Sequence, residues 1–322
     1  TVKWSGIIGG DISAEYKGIT ARLAYMKSDY SDSLNPDKVP QKTYGGSLNA
    51  ELGDWTVRRP QLTTGGFPFE FANENYPDVD DTAVAVLALR RAGIGAHACE
   101  RGVAWMLGMQ SSDGGWAAFD VDNTRTIVAR LPFCDFGAVT DPPSADVTAH
   151  VVETLAHERR GHEREAQRGI AWLLRAQERD GSWFGRWGAN HIYGTAAALP
   201  ALAACGLRDH PAVARAADWL ATIQNPQGGF GEDLRSYRDP SWRGRGVSTA
   251  SQTAWALLGL HAADDDGPVS ERAIRFLVET QRPSGGWDEP SFTGTGFPGD
   301  FYLNYHLYRD VFPVMALGRV LA

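Results

Sequence analysis

The chain has 322 residues and a formal charge of −8, with 43% apolar and 22% charged residues, enough to bury the core of one large or two ordinary domains. It shows neither an 18-residue apolar run nor a basic-then-apolar leader pattern at its start, so no spanning helix and no secretory signal are expected, and the acidic balance argues against a nucleic-acid binder. Three scattered cysteines, Cys99, Cys134 and Cys205, fit neither a disulfide framework nor a metal site, whereas 11 Trp and 36 Gly in a chain that is not low-complexity call for a search for repeats.

Residues 1–52 carry no repeat. Alternation of polar and apolar residues over Asp11–Tyr25 predicts a strand, and the polar, Pro-punctuated stretch Ser28–Gln41 predicts a loop. A boundary falls near Gly53. Beyond it, a 3.6-residue periodicity predicts helices over Asp81–Ala92, Ala145–His157, Thr195–Ala204, Thr249–Ala262 and Asp310–Leu321. Several close on glycine, as at Gly93 and Gly206.

Between these helices, four segments share one pattern. An apolar helical stretch with an aromatic at Trp105, Trp172, Trp219 or Phe276 leads into Gln-x-x-x-Gly-x-aromatic at Gln110–Trp116, Gln177–Trp183, Gln224–Phe230 and Gln281–Trp287. Their uneven spacing excludes a simple solenoid and suits helix pairs joined by variable loops. The predicted class is all-α: an α/α barrel with long loops at 110–144, 224–248 and 281–309, plus an unmatched N-terminal segment containing β-structure. The predicted domains are 1–52 and 53–322.

The sharpest local feature is Tyr76-Pro77-Asp78-Val79-Asp80-Asp81-Thr82, three carboxyls at the start of an apolar helix. Helix capping explains an acid in a first turn. Three such acids, if buried, cannot all ionise cheaply, so one of them is a candidate general acid. Asp146 and His150 stand four apart on one helical face, where a lone histidine is usually structural. Aromatics crowd two loops, Trp183–Tyr193 and Phe292–Tyr308, as core packing or as a ligand wall. His157 and His162 stand five apart, on different helical faces, and form no metal motif. There is no nucleophile elbow and no phosphate loop.

Taken together, the four Gln–aromatic segments, Asp78-Val79-Asp80-Asp81-Thr82-Ala83 and the run from Asp135 to Pro143 resemble the squalene–hopene cyclase family of class II triterpene cyclases, with the match running from Gly53 to the C-terminus. The family folds as two α-helical barrels, and this chain resembles the C-terminal one, an α6–α6 toroid. The resemblance implies that Asp80 protonates the terminal alkene of squalene, giving hopene- or hopanol-type pentacyclic products. Asp78 and Asp81 would set its acidity and stabilise the first cation, and His150 would hydrogen-bond the acid. Phe69, Trp187, Tyr193, Phe297, Phe301, Tyr305 and Tyr308 would line the cavity, with Phe133 and Cys134 at the mouth of a channel from the membrane. The Gln–Trp segments would be structural, the glutamine capping a helix end and the ring stacking on it. The family often has a hydroxylated aromatic where this chain has Phe119. No metal and no cofactor are implied. The expected partners are squalene and a membrane surface, with no nucleic acid; a homodimer is an assembly the resemblance allows. The expected location is monotopic, on the cytoplasmic membrane face. Two other functions stay open, a non-catalytic barrel binding lipid or a partner, and a cyclase for a shorter polyprene.

Overall fold

In the computed structural model, residues 3–16, 19–32 and 35–50 are described as backbone, and 55–69, 76–124 and 140–321 in full. Two compact units are distinguished, Thr1–Val57 and Arg58–Ala322.

The first unit holds β1 (Lys3–Tyr16), β2 (Ile19–Asp32) and β3 (Asn35–Ala50), antiparallel in the order β1-β2-β3. Two expectations are corrected here. The single strand read over Asp11–Tyr25 is the end of β1 and the start of β2, and the predicted loop Ser28–Gln41 runs through β2 and β3. The prolines that argued for a loop, Pro36 and Pro40, lie in β3, an edge strand, where a missing N–H costs the ladder least.

After a short helix α1 (Trp55–Arg58), the second unit alternates two kinds of helix. One set is α2 (Val79–Ala92), α4 (Ala145–His157), α6 (His191–Ala204), α8 (Ala250–Ala262) and α10 (Tyr308–Val320). The other is α3 (Ala96–Gly108), α5 (Arg164–Ala176), α7 (Pro211–Ile223) and α9 (Pro268–Thr280). In the first set each helix packs on the next, α2 on α4, α4 on α6, α6 on α8 and α8 on α10. Each helix of the second set packs behind one of them, α3 on α2, α5 on α4, α7 on α6 and α9 on α8. This is the α/α-barrel layering, an inner and an outer shell.

The sequence explains which helix goes where. Helices α6 and α8 are apolar all round and buried on nearly every side, as suits a helix in the middle of the inner shell, whereas α2 and α10, the first and last of that set, are only partly buried. Helix α5 buries a single stripe, Ala166, Gly169, Ile170 and Leu173, which is the signature of an outer helix. Two short hairpins interrupt the all-helical reading: β4 (Phe67–Pro68) with β5 (Pro77–Asp78), and β6 (Gly294–Phe297) with β7 (Phe301–Leu303).

The Gln–aromatic segments join one outer helix to the next. The amide of Gln110 donates to Gly114 O in its own turn at 2.9 Å and to Glu165 O in the first turn of α5 at 2.8 Å. Gln177 bonds Gly181 O and Ala212 O of α7 in the same way, and Gln224 bonds Gly228 O and Val269 O of α9. The Gln oxygens accept from Arg168, Arg215 and Arg272 of those next helices.

The indoles of Trp116, Trp183 and Trp287 do not cap the next helix. They donate to Met106, Leu173 and Leu277 carbonyls in the last turns of their own outer helices, at 2.7–2.8 Å. The glycine is required twice over in three of these turns, at Gly114, Gly181 and Gly228, and by its positive φ alone at Gly285. Gly181 has φ +98°, and a Cβ there would stand 2.5 Å from Arg215 O.

A fifth unit, absent from the sequence reading, is Gln61-Leu-Thr-Thr-Gly65-Gly-Phe67. Phe67 N donates to Thr82 Oγ1 at 2.8 Å, as Trp116 N does to Thr148, Trp183 N to Thr195 and Phe230 N to Thr253. A Cβ on Gly65 would meet Arg101 O at 2.3 Å, the approach that Gly181 makes to Arg215. The backbone of these four aromatics therefore bonds a threonine of an inner helix, and that of Trp287 bonds Asp310 of α10 at 3.3 Å.

Candidate active site at the inner-helix N-termini

Because inner and outer helices alternate in direction, the inner helices all begin at one end, and the described parts of the long loops gather there. Buried carboxylates meet these N-termini, where helix dipoles favour anions. Glu232 accepts from Ile192 N at the start of α6 at 2.9 Å, and Glu289 from Ser251 N at the start of α8 at 2.7 Å.

At α2 the three acids divide the work. Asp78, 7% exposed, is the N-cap, accepting from Asp80 N at 2.6 Å and Asp81 N at 3.1 Å. Asp80 and Asp81 are then about 100° apart around the helix, and only one of them can face α4. That one is Asp80, whose Oδ1 lies 2.5 Å from His150 Nδ1, with side chains 19% and 18% exposed. Asp81 points out to the open side.

Burial holds the Asp78 carboxyl well above the usual range, helped by the charges of Asp80 and Asp81. Asp81 is pushed up to about 6 by partial desolvation and by the charge of Asp80, against the opposing His150. For His150, burial works against the charged form, but the charge and hydrogen bond of Asp80 overcome it and raise the imidazole to about 9. His150 is therefore an imidazolium near neutrality, donating Nδ1–H to Asp80.

This sets a pH window. Stability linked to His150 is present in full below its ordinary value of 6.5 and is lost as pH rises through about 9. The melting temperature of the wild type is expected to fall between pH 6.5 and 9, and that of His150→Gln to stay level there. Parallel curves for the two proteins would contradict the ion pair.

One turn before His150, Asp146 is fully buried and accepts from Arg186 N and Trp187 N, both at 2.9 Å. Burial raises its carboxyl, as does the nearby Asp80. Helix α4 thus holds the partner of the acid with one side chain and the Trp187 loop with another. Trp187 O accepts from Thr295 N at 3.0 Å, and the Tyr237 hydroxyl donates to Gly188 O at 2.7 Å. The sequence reading paired Asp146 with His150 by spacing but assigned it no task, since its partners lie forty residues on.

Aromatic rings extend from the acid in two sets. From His150 one set runs through Tyr193 at 6.2 Å, Trp255 at 4.8 Å and Tyr308 at 5.8 Å to Tyr305, stacked at 4.7 Å. The other joins Phe69, Phe119 and Trp187 edge to face, at 5.7 and 5.9 Å. Gly294 lies between the Tyr305 ring and the backbone of Trp187: a Cβ there would stand 2.6 Å from the ring and 3.5 Å from Trp187 O.

Phe297 and Phe301 ride on the β6–β7 hairpin beside Trp187. Five predicted wall residues thus fall into the two ring sets and two onto the hairpin. Trp255, Phe312 and Phe119 also belong to the ring sets, although a tryptophan on an apolar helix reads first as core. Phe69, Phe301 and Tyr305 are 45%, 49% and 42% exposed, so in this chain the wall has an open side. Phe133 and Cys134 lie outside the described residues.

A second polar cluster has another character. Ser182 Oγ lies 2.7 Å from Asp180 and 3.0 Å from His191 Nδ1, which has the composition of a hydrolytic triad. Ser182 is fully buried, and burial and Arg243 hold His191 down at about 3. The serine cannot reach a substrate, and the cluster ties the loop to α6. Among the described residues no three His, Cys, Asp or Glu side chains are placed to hold a metal ion.

A family model for the squalene–hopene cyclase C-terminal domain matches residues 46–322. The chain belongs to the squalene–hopene cyclase family. It is 54% identical to the squalene–hopene cyclase of Alicyclobacillus acidocaldarius over 277 residues, covering 83% of this chain and 44% of that protein. It is 49% identical to the squalene–hopene cyclase of Bradyrhizobium diazoefficiens, covering 83% and 42%. The type II terpene cyclase MstE from Scytonema has a similar fold, with a TM-score of 0.55 at 25% identity over 76% of this chain and 66% of that one. The chain spans less than half the length of the curated relatives it matches. What it shares with the squalene–hopene cyclase family is the C-terminal domain, matched over residues 46–322.

Proposed function

We propose that this chain is the acid-bearing part of a class II terpene cyclase that converts squalene to hopene- or hopanol-type pentacyclic products. The observation that carries the reading is the Asp80–His150 pair, 2.5 Å apart at one end of an aromatic wall. Membership of the squalene–hopene cyclase family supports it.

Protonating an alkene with a carboxylic acid is steeply uphill, so the site must be dry and its charges preorganised. The form that reacts is the one in which Asp80 has taken a proton from solvent on Oδ2 while Oδ1 accepts from the His150 imidazolium, and the proton leaves from Oδ2. The π electrons of the terminal double bond form the new C–H bond, and the adjacent carbon becomes cationic. The His150 imidazolium stabilises the Asp80 carboxylate left behind. Asp78 and Asp81, two positions before and one after Asp80, set its acidity and stabilise the first cation. The faces of Tyr193, Trp187, Phe69, Phe297, Phe301, Tyr305 and Tyr308 stabilise it as it migrates, without acting as nucleophiles. Phe133 and Cys134 are assigned to the channel through which the substrate arrives.

Such a substrate lies in the bilayer, and no helix among the described residues is long and apolar enough to cross one. The reading therefore places the protein on the cytoplasmic membrane surface as a monotopic protein. Co-sedimentation with phosphatidylcholine vesicles tests that placement, and sedimentation equilibrium tests for a homodimer.

The function itself is tested by incubation with squalene and gas chromatography of the extract. The expected result is a C30 polycyclic product that is lost with Asp80→Asn. Product from a shorter polyprene alone would shift the substrate class. Binding of squalene without product from either protein would favour a lipid-binding barrel, the reading that the open side of the wall supports.

A further inference from the structure

The β6–β7 hairpin carries two wall aromatics, Phe297 and Phe301, on either side of its turn at 298–300. A two-stranded hairpin of this size is marginal alone in water, so the placing of both rings depends on what ties it down. Its base is held by Ala189 N to Thr293 O at 2.8 Å and Thr295 N to Trp187 O at 3.0 Å.

Its tip is held from another loop, by Arg238. The guanidinium donates to Gly299 O and to the Asp300 carboxylate, the latter at 2.5 Å. Gly299 has φ +88°, and a Cβ there would stand 3.2 Å from Arg238 Nε, so the arginine also packs against the turn. Arg238 directly follows the 3-10 turn Leu234–Tyr237, whose tyrosine bonds Gly188 O beside Trp187. One short segment therefore reaches both the hairpin tip and the Trp187 loop.

We propose that Arg238 is a positioning residue, a strap across the hairpin tip that sets the orientation of Phe297 and Phe301 and hence the fidelity of cyclisation. This rests on the cyclase reading of the site. The attraction between a cation and a ring face falls off with displacement. A tilted ring leaves a cation unsupported and open to water, so the cascade ends early by proton loss or by capture as an alcohol. Initiation at Asp80 and His150 is untouched. The arginine is two-thirds exposed, and an ion pair of that kind adds little to overall stability, so the strap acts on geometry.

The test compares wild type, Arg238→Ala and Arg238→Lys as full chains, reading squalene consumption, product composition and amide hydrogen exchange over 299–303. In Arg238→Ala, exchange at the tip is expected to rise about tenfold or more. The share of incompletely cyclised or hydroxylated products should rise about threefold or more, while consumption stays within about twofold. Arg238→Lys should fall between, because an ammonium cannot reproduce the guanidinium fork. An active wild type with unchanged products in Arg238→Ala would overturn the proposal alone, as would a loss of consumption with product ratios unchanged. A wild type that consumes no squalene would overturn the cyclase reading beneath it and the fidelity claim with it.

Discussion

Asp80→Asn is expected to lower product formation from squalene by about a thousandfold or more, within the range a positioned general acid contributes, and to leave the fold intact. Asparagine is nearly isosteric with aspartate. Its carbonyl oxygen can still accept the Nδ1–H of His150, which lies 2.5 Å from Asp80 Oδ1 in the wild type. What it lacks is a proton to give. The capping bonds of α2 run through Asp78 and are not touched. Turnover and the melting curve, measured on the same preparation, separate the two effects. Normal turnover in this variant would refute the assignment of the acid. With the charge of Asp80 gone, the support that raises His150 also goes, so its imidazole should titrate lower, visible as a shift of its ring proton resonances.

The second large effect is structural. Trp183→Ala is expected to cost about 3–5 kcal/mol, as removal of a buried large aromatic usually does. The indole is fully buried and its N–H bonds Leu173 O at 2.8 Å, so the change leaves a cavity and loses the tie to the last turn of α5. For a unit of this size the melting temperature should fall by about 10 °C. Gln281→Ala makes the contrast. Gln281 is exposed, and its amide bonds its own turn at Gly285, so it should change stability by less than about 0.5 kcal/mol. A large loss of rate in Trp183→Ala with unchanged melting would contradict the structural role of the motif.

The helices were legible because burial writes itself into their periodicity. The predicted Ala145–His157 matches α4 end to end, and the all-apolar stretches around Thr195 and Thr249 became inner helices. The fifth Gln–aromatic unit escaped because Gln61 follows no outer-helix pattern; Trp55–Arg58 forms a single turn. Comparing Gly65-Gly66-Phe67 with Gly114-Gly115-Trp116 would have found it.

The acids were legible as a cluster, and the capping role weighed for them proved to be that of Asp78. Which acid faces His150 is set by packing of α2 on α4, and spacing within either helix does not contain it. Asp146, Tyr237 and Arg238 act on loops 40, 49 and 61 residues away in sequence, and such pairings leave no local pattern. The strands across Ser28–Gln41 were missed because proline is a strong loop signal that an edge strand tolerates.

In the proposed reaction a proton passes from the Asp80 carboxyl to carbon, and that carboxyl exchanges with solvent between turnovers. The most direct measurement is squalene turnover in D2O, with the product analysed by mass spectrometry and NMR. The expected product carries one deuterium on the ring carbon that was the terminal alkene CH, and the labelled product is lost in Asp80→Asn. A cyclised product without deuterium at that carbon, or one formed equally well by Asp80→Asn, would contradict it.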